Sequence, residues 1–414
     1  MAYAELGNAE GNRGMIKEGE VSLKKAMDLQ DRASELERFY ISSHYYGLIG
    51  DTEKSVSIYE QWHKLYPRDT IPINNLHLAY SNLGEFQRTL DPALEEMRLE
   101  PESPYSYQDL AGAYHNLNRD QETKAVLDQA VSKKLDSVTT HFVLYILAKG
   151  RGDQAAMDHE IEVTRGKPDA DWMLEVKASF EAGLGKLKQS AVTTAESKSI
   201  SEKSNNFESA AWVEAEQALY LALAEDCAGA RASAQSSLKR FATGWNRHLV
   251  ADVAAYCGDE STALDLAKSL SQEYPSHTIW NSKQRPEIEA IIQMHRGKLD
   301  EALRILGAAR PIEMGSGPVN IPYTTAYARG LAYLKKDEGE HAAVEFQRIL
   351  DFHYLRPGTI YVSLARLQLA RAYALQKDTA KSKVAYQDFF ALWKDADPDI
   401  PILKEAKAEY AKLQ

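Results

Sequence analysis

Apolar and small residues recur along this chain in a fixed step. Tyr46, Tyr80 and Tyr114 lie 34 residues apart. Gly50, Gly84 and Gly152 keep the same step, and Asn118 fills the place left between them. Pro67 and Pro101, each at the end of an apolar run, are one step apart as well. Within a step the apolar residues fall at helical spacing, as Ile73, Leu76 and Tyr80 do. Each step therefore predicts two amphipathic helices. Gly or Asn accepts the left-handed backbone after the first, and Pro stops the second. Ala263, Ala302 and Ala342 are small enough to let paired helices approach; Tyr80 and Phe346 are large enough to fill the space between pairs. No pair buries its apolar face alone, so the pairs must stack.

The step and the order of its markers resemble the tetratricopeptide repeat (TPR). The segment 73–101 supplies Ile73, Leu76, Tyr80, Gly84, Phe86 and Pro101, and the next supplies Tyr107, Leu110, Tyr114 and Ala130. Downstream, Gly330 and Tyr333 precede Ala342 and Phe346; Leu369, Tyr373, Tyr386 and Phe389 follow. The expected fold is all-α, a right-handed TPR superhelix of about nine helix pairs. Three regions are expected. An N-terminal array covers 1–169 and opens on a pair over 1–32 with Leu6, Gly7, Gly14 and Ala26; a degenerate helical connector covers 170–245; a C-terminal array covers 246–414. The Ser/Thr-rich run 189–206 reads as a frayed helix end or hinge, and MGSGPVNIP (314–322) as a flexible connection. Residues 400–414 read as an amphipathic capping helix, with Asp399 at its start. The opening MAYAELGNAEGNRG reads as a helix already in stride and implies chain upstream.

Three stretches are similar to the repeats appended to bacterial, notably acidobacterial, serine/threonine protein kinases. They are ERFYISSHYYGLIGDTEKSVSIYEQWHKLYPRD, LAGAYHNLNRDQETKAVLDQAVSKKLDS and AYQDFFALWKDADPDIPILKEAKAEYAKLQ. The resemblance implies the sensor or docking region of a multidomain signalling protein. A kinase domain in that parent would lie outside this sequence, which has no Gly-rich phosphate loop, VAIK-like lysine, HRD or DFG.

Charge removes one class of partner. The net charge of −11 lacks the basic footprint of nucleic-acid binding. No run of about 18 apolar residues predicts a membrane helix. Cytoplasmic placement is expected, with an extracytoplasmic one if a membrane helix precedes the repeats in a longer parent. Cys227 and Cys257 read as small buried hydrophobes ahead of a disulfide. No histidine pair has zinc spacing, no Ser sits in a G-x-S-x-G elbow, and no catalytic residue, metal or cofactor is expected. Gly315–Ser316–Gly317 follows no strand and is a weak phosphate cradle, and Asp395, Asp397 and Asp399 lack the glycine and final glutamate of a calcium loop.

The expected function is a non-catalytic scaffold that takes a peptide or partner protein in its concave groove. First helices line that groove. Its candidate residues are Tyr40, His44, Asn74, Leu78, Asn82, Tyr105, Gln108 and His115, with Gly112 and Phe142 beside them. Amides can grip a peptide backbone through donor and acceptor together, and aromatics add contact area at low entropic cost. The basic clamp by which TPR domains grip chaperone C-termini is present only in fragments. The aromatic residues Phe39, Tyr40, Tyr45, Tyr46, Tyr59, Trp62 and Tyr66 read as core. The alternative function is a small-molecule sensor holding its ligand between the two halves, near 170–245.

Overall fold

The computed structural model describes residues 1–413 except 14, 168, 169, 318 and 319. Gly14, the end of the first array at 168–169 and two residues of the 314–322 loop therefore lie outside the described residues. Among those described, the regular structure is helical throughout, with 23 α-helices and no strand. They form eleven antiparallel pairs, from Ala2–Asn12 with Ile16–Asp28 to Ile360–Leu375 with Thr379–Leu392, and a terminal helix Pro401–Ala411. The sequence reading of about nine pairs is two short. The additional pairs fall where the repeat markers fade. Ala170–Gly183 with Leu187–Lys203 and Phe207–Leu223 with Cys227–Arg240 follow one another without interruption.

The markers act as read. The three glycines that keep the 34-residue step, Gly50, Gly84 and Gly152, have φ of 76°, 76° and 69°, and Asn118 adopts the same left-handed conformation at 59°. Asn tolerates this region because its short side chain can bond locally. Tyr59 and Trp62 are buried, and Trp62 lies within stacking range of Phe39 and Tyr59. Phe39, Tyr40 and Tyr66 pack against them, and these five are core.

The run 189–206 is not frayed. Most of it lies in the regular helix Leu187–Lys203, and its hydroxyls face the neighbouring helix. The Ser190 hydroxyl donates to the Ala178 carbonyl at 2.9 Å, and that of Ser197 to the Asp171 carbonyl at 2.9 Å. Small hydroxylated side chains here do what alanine does elsewhere, allowing close packing while their O–H groups find backbone or carboxylate acceptors on the neighbouring helix.

The cysteines are also corrected. Cys227 and Cys257 form a disulfide with Cα atoms 5.5 Å apart. Cys227 begins helix Cys227–Arg240 and Cys257 follows the end of Gly244–Tyr256. In antiparallel neighbours those two ends are adjacent, so a separation of 30 residues, nearly one full pair, brings the sulfurs together.

The superhelix closes on itself. The long connections of the C-terminal half reach back to the turns that follow first helices in the N-terminal half. Thr278 N–H donates to the Gly50 carbonyl at 2.8 Å, and Ser316 N–H to that of Ser81 at 3.0 Å. The Asn320 amide donates to the Asn82 carbonyl at 2.6 Å. Gly183 and Gly358 approach so closely that a Cβ on Gly183 would lie 1.7 Å from the Gly358 carbonyl oxygen. The Ser363 hydroxyl and the Trp393 indole N–H both donate to the Gly183 carbonyl. The 314–322 loop is thus a seam rather than a slack connection. Buried Lys283 donates to the Glu313 and Ile321 carbonyls and to Asn320. Arg329, also fully buried, bridges the carboxylates of Glu313 and Glu345 at 2.7 Å each. Asp399 does not cap the last helix, whose N-cap residue is Ile400. Instead Asp397 accepts from the backbone N–H of Lys188, in the first turn of Leu187–Lys203, and Asp399 pairs with the Lys188 ammonium. The acidic run caps a helix in the other half.

Candidate functional site

The expected groove residues stand at equivalent places on successive first helices, and closure of the coil sorts them by availability. Glu35–Leu48 carries Tyr40 and His44. Their rings stack at 4.0 Å, the Tyr40 hydroxyl accepts from Asn8, and buried His44 holds its Nδ1 against the Tyr40 carbonyl at 2.8 Å. Burial lowers the His44 pKa and keeps the imidazole neutral.

Thr70–Leu83 carries Asn74, Leu78 and Asn82. The Asn74 amide donates to Asp109 at 2.7 Å. Asp109 and Glu96 are both buried, and their carboxyls hydrogen-bond to one another. Burial raises the pKa of each, and the Asp109 charge raises that of Glu96 further. Two carboxyls in contact in a dry site hold a proton that either alone in water would have lost. Asn82 turns its amide back to the Leu78 carbonyl at 3.1 Å, while Gly315 and Gly317 crowd against it from across the seam.

Pro104–Asn116 carries Tyr105, Gln108, Gly112 and His115. Gln108 donates to the Ser137 hydroxyl at 2.8 Å, Gly112 faces the His77 ring, and His115 is buried against the Leu355 backbone of the far half. Burial lowers the His115 pKa.

Of the eight principal candidates, two are open. Tyr105 is 65% and Leu78 47% exposed. Two more residues in this row were not singled out from the sequence. Ile71 is 37% and Trp172 44% exposed, and Trp172 stacks on Phe142 with centroids 6.1 Å apart. Ile71 and Tyr105 each lie 13 residues before their left-handed turn residue, Gly84 and Asn118. Counting from the turn at Gly185 places Trp172 in the same row. Gly185 follows Gly152 by 33 residues rather than 34, so strict phasing passes over it.

Beneath Phe142 a cavity of about 30 Å³ opens between the halves, lined by Ile146, Glu175, Ser179, Glu216 and Arg356. Burial raises the pKa of both carboxyls, and the Arg356 charge opposes it. A second, of similar size, lies among Trp212, Trp245, Trp280 and Tyr274. Among the described residues no three His, Cys, Asp or Glu side chains are placed to hold a metal ion, and no helix is long and apolar enough to cross a membrane.

No family model and no curated protein matches this chain. Solved structures resemble it weakly. Yeast Tom70 is 12% identical over 100% of this chain and 95% of its own, with a TM-score of 0.38. Cut9 in the APC/C hetero-tetramer Cut9–Hcn1 is 12% identical over 99% and 89%, with a TM-score of 0.37. The P58(IPK) TPR domain is 9% identical over 92% and 98%, with a TM-score of 0.27. The all-α superhelical fold rests on the arrangement of this chain's own helices.

Proposed function

We propose that the protein is a non-catalytic TPR-type scaffold that holds an extended, apolar-rich segment of a partner protein along the row Ile71, Leu78, Tyr105, Phe142 and Trp172. The observation that carries this reading is the exposure of large apolar side chains on first helices: Ile71, Tyr105 and Trp172 each stand 13 residues before their turn, Leu78 lies further along the helix of Ile71, and half-buried Phe142 backs Trp172. Each costs solvation free energy where it stands, and a partner that covers the row recovers about 25 cal/mol per Å² of apolar surface. Among the groove candidates, Leu78 and Tyr105 make the contacts; His44, Asn74, Asn82 and His115 hold the wall behind them.

The resemblance to kinase-appended repeats supports a role as the docking or sensor region of a longer bacterial signalling protein. The disulfide supports the extracytoplasmic placement, since such bonds persist in oxidising compartments.

Selection of a random peptide library on the protein tests the reading. Enriched peptides should be rich in aliphatic and aromatic residues. They should lose at least tenfold in affinity on Tyr105→Ala with Trp172→Ala, and nothing on Val344→Ala, an equally exposed residue on a second helix. Peptides that bind the double variant as tightly as the parent would overturn it.

A further inference from the structure

The cavity beneath Phe142 joins the partner-binding row to the seam. Helix Ala170–Gly183 serves both. Trp172 stands in the row, and Glu175, Val176 and Ser179, one and two turns further on the same face, line the cavity. Helix Val138–Gly150 adds Phe142 and helix Phe207–Leu223 adds Glu216. Arg356 and Thr359 come from the far half. Apolar walls thus enclose a small set of polar groups.

Thr359 lines this space with a hydroxyl that nothing in the chain uses. It is the N-cap residue of helix Ile360–Leu375, yet its side chain makes no cap bond. Ser34, Ser137 and Thr243 hold the same position on other helices, and each accepts from its own first turn. Thr359 is 9% exposed, and its Oγ1 has no hydrogen-bond partner among the described residues. Among the other lining groups the charges nearly cancel. Glu175 and Glu216 hydrogen-bond to one another, and burial raises both, Glu175 to about 6. The pair therefore keeps one proton and one charge near neutrality, and Arg356 supplies the opposite charge. The Trp212 indole N–H donates to Glu175 at 3.2 Å, and the Arg356 guanidinium to the Gly317 carbonyl at 3.2 Å.

These groups select among ligands. A carboxylate would meet Glu175, and an ammonium would meet Arg356, in a site too dry to screen either. A neutral group that both donates and accepts meets neither cost. A carboxamide has two N–H bonds to offer a carboxylate and an oxygen to receive a hydroxyl. The cavity of about 30 Å³ has room for about two waters, enough for the nitrogen and oxygen of an amide and too little for a whole metabolite. We infer that this cavity is a specificity pocket for a carboxamide side chain, Asn or Gln, of the segment bound along the row, its oxygen on Thr359 and its nitrogen on Glu175. The assignment to that segment rests on the reading of the row given above. Trp172 and Phe142 would hold the apolar neighbours of the amide while it reaches into the seam.

The pocket is tested apart from the row by titrating the full chain with propionamide, propionate and propylammonium. The readout is the Trp212 indole N–H resonance, which reports on Glu175. Propionamide should shift it saturably, and the two charged analogues should not. Thr359→Val keeps the shape and removes the hydroxyl, so it should abolish the shift; it gives up no cap bond, so the melting temperature should hold or rise. Thr359→Ser should restore the shift. Peptides enriched on the protein supply the second arm. They should share an Asn or Gln beside their aromatic residues. Replacing that amide by methionine should weaken binding at least tenfold in the parent and leave it unchanged in Thr359→Val. No shift with propionamide, an equal shift with a charged analogue, or a full shift in Thr359→Val would overturn the pocket. A propionamide shift without an amide preference in the peptides would overturn its assignment to the partner. Peptides indifferent to Tyr105→Ala with Trp172→Ala would overturn the row and that assignment with it, while the propionamide shift reads the pocket by itself.

Discussion

Replacing Asp109 by Asn should change how stability depends on pH. In the parent, Asp109 and Glu96 are buried in contact, with Asn74 donating to Asp109. Both acids have raised pKa values when folded, so the folded state keeps protons that the unfolded chain releases above about pH 4.5. Stability from this pair is therefore complete at low pH and is lost as pH rises. Each retained proton corresponds to about 1.4 kcal/mol per pH unit; Glu96, raised to about 9 chiefly by burial, keeps its own in the variant, so Asp109→Asn removes the dependence due to Asp109, about 3 kcal/mol between pH 5 and 7. The amide introduced by Asp109→Asn would keep the acceptor for Asn74, offer Glu96 an N–H, and carry no charge. The variant's advantage over the parent should be small at pH 5 and grow by about 1.4 kcal/mol per unit toward pH 7. Urea denaturation of both proteins at half-unit steps measures this. A difference that stays constant with pH would refute the shared-proton account, whatever its size.

Three further outcomes follow from the packing. Cys227→Ser should lower stability by about 3–4 kcal/mol, the loop-closure value for a 30-residue separation; dithiothreitol should lower the parent's urea midpoint equally and leave the variant's unchanged. Gly183→Ala places a methyl against the Gly358 carbonyl and should cost about 1–3 kcal/mol, with an increased radius of gyration in X-ray scattering as the halves part. Arg329→Met removes the cation that Glu313 and Glu345 share but leaves them Arg348 and Arg310, and should cost about 3 kcal/mol, the low end for a broken buried pair; thermal denaturation checks it.

The repeats were legible because their markers answer to local physics. A left-handed turn needs Gly or Asn, and an antiparallel pair needs a small residue at its crossing. The middle pairs escaped the count because they meet the same needs differently. Phe207–Leu223 packs through Ala210, Ala211, Ala215, Ala218 and Ala222, and Leu187–Lys203 through serines and threonines. Such residues look degenerate beside a tyrosine-and-glycine template. Closure was hidden for another reason. Its contacts end on main-chain carbonyls of Gly50, Ser81, Asn82 and Gly183, and a carbonyl leaves no trace in residue identity. The groove was legible in place but not in availability. An amide on an inner face looks the same in sequence whether it awaits a partner or, like Asn74, already serves a carboxyl 35 residues away. Tyr105 and Leu78, apolar and exposed, carry the signal that survives.

The seam also fixes how many repeats this protein can have. An open solenoid gains or loses a pair at little cost, because each unit touches only its neighbours. Here the turn at Gly50 must meet Thr278, that at Asn82 must meet Asn320, and Gly183 must meet Gly358. A pair inserted between residues 183 and 278 would rotate and displace every downstream connection and misalign all three meetings at once. Repeat number, the most freely varied property of such chains, is here a constraint of the fold, as strand number is in a closed barrel.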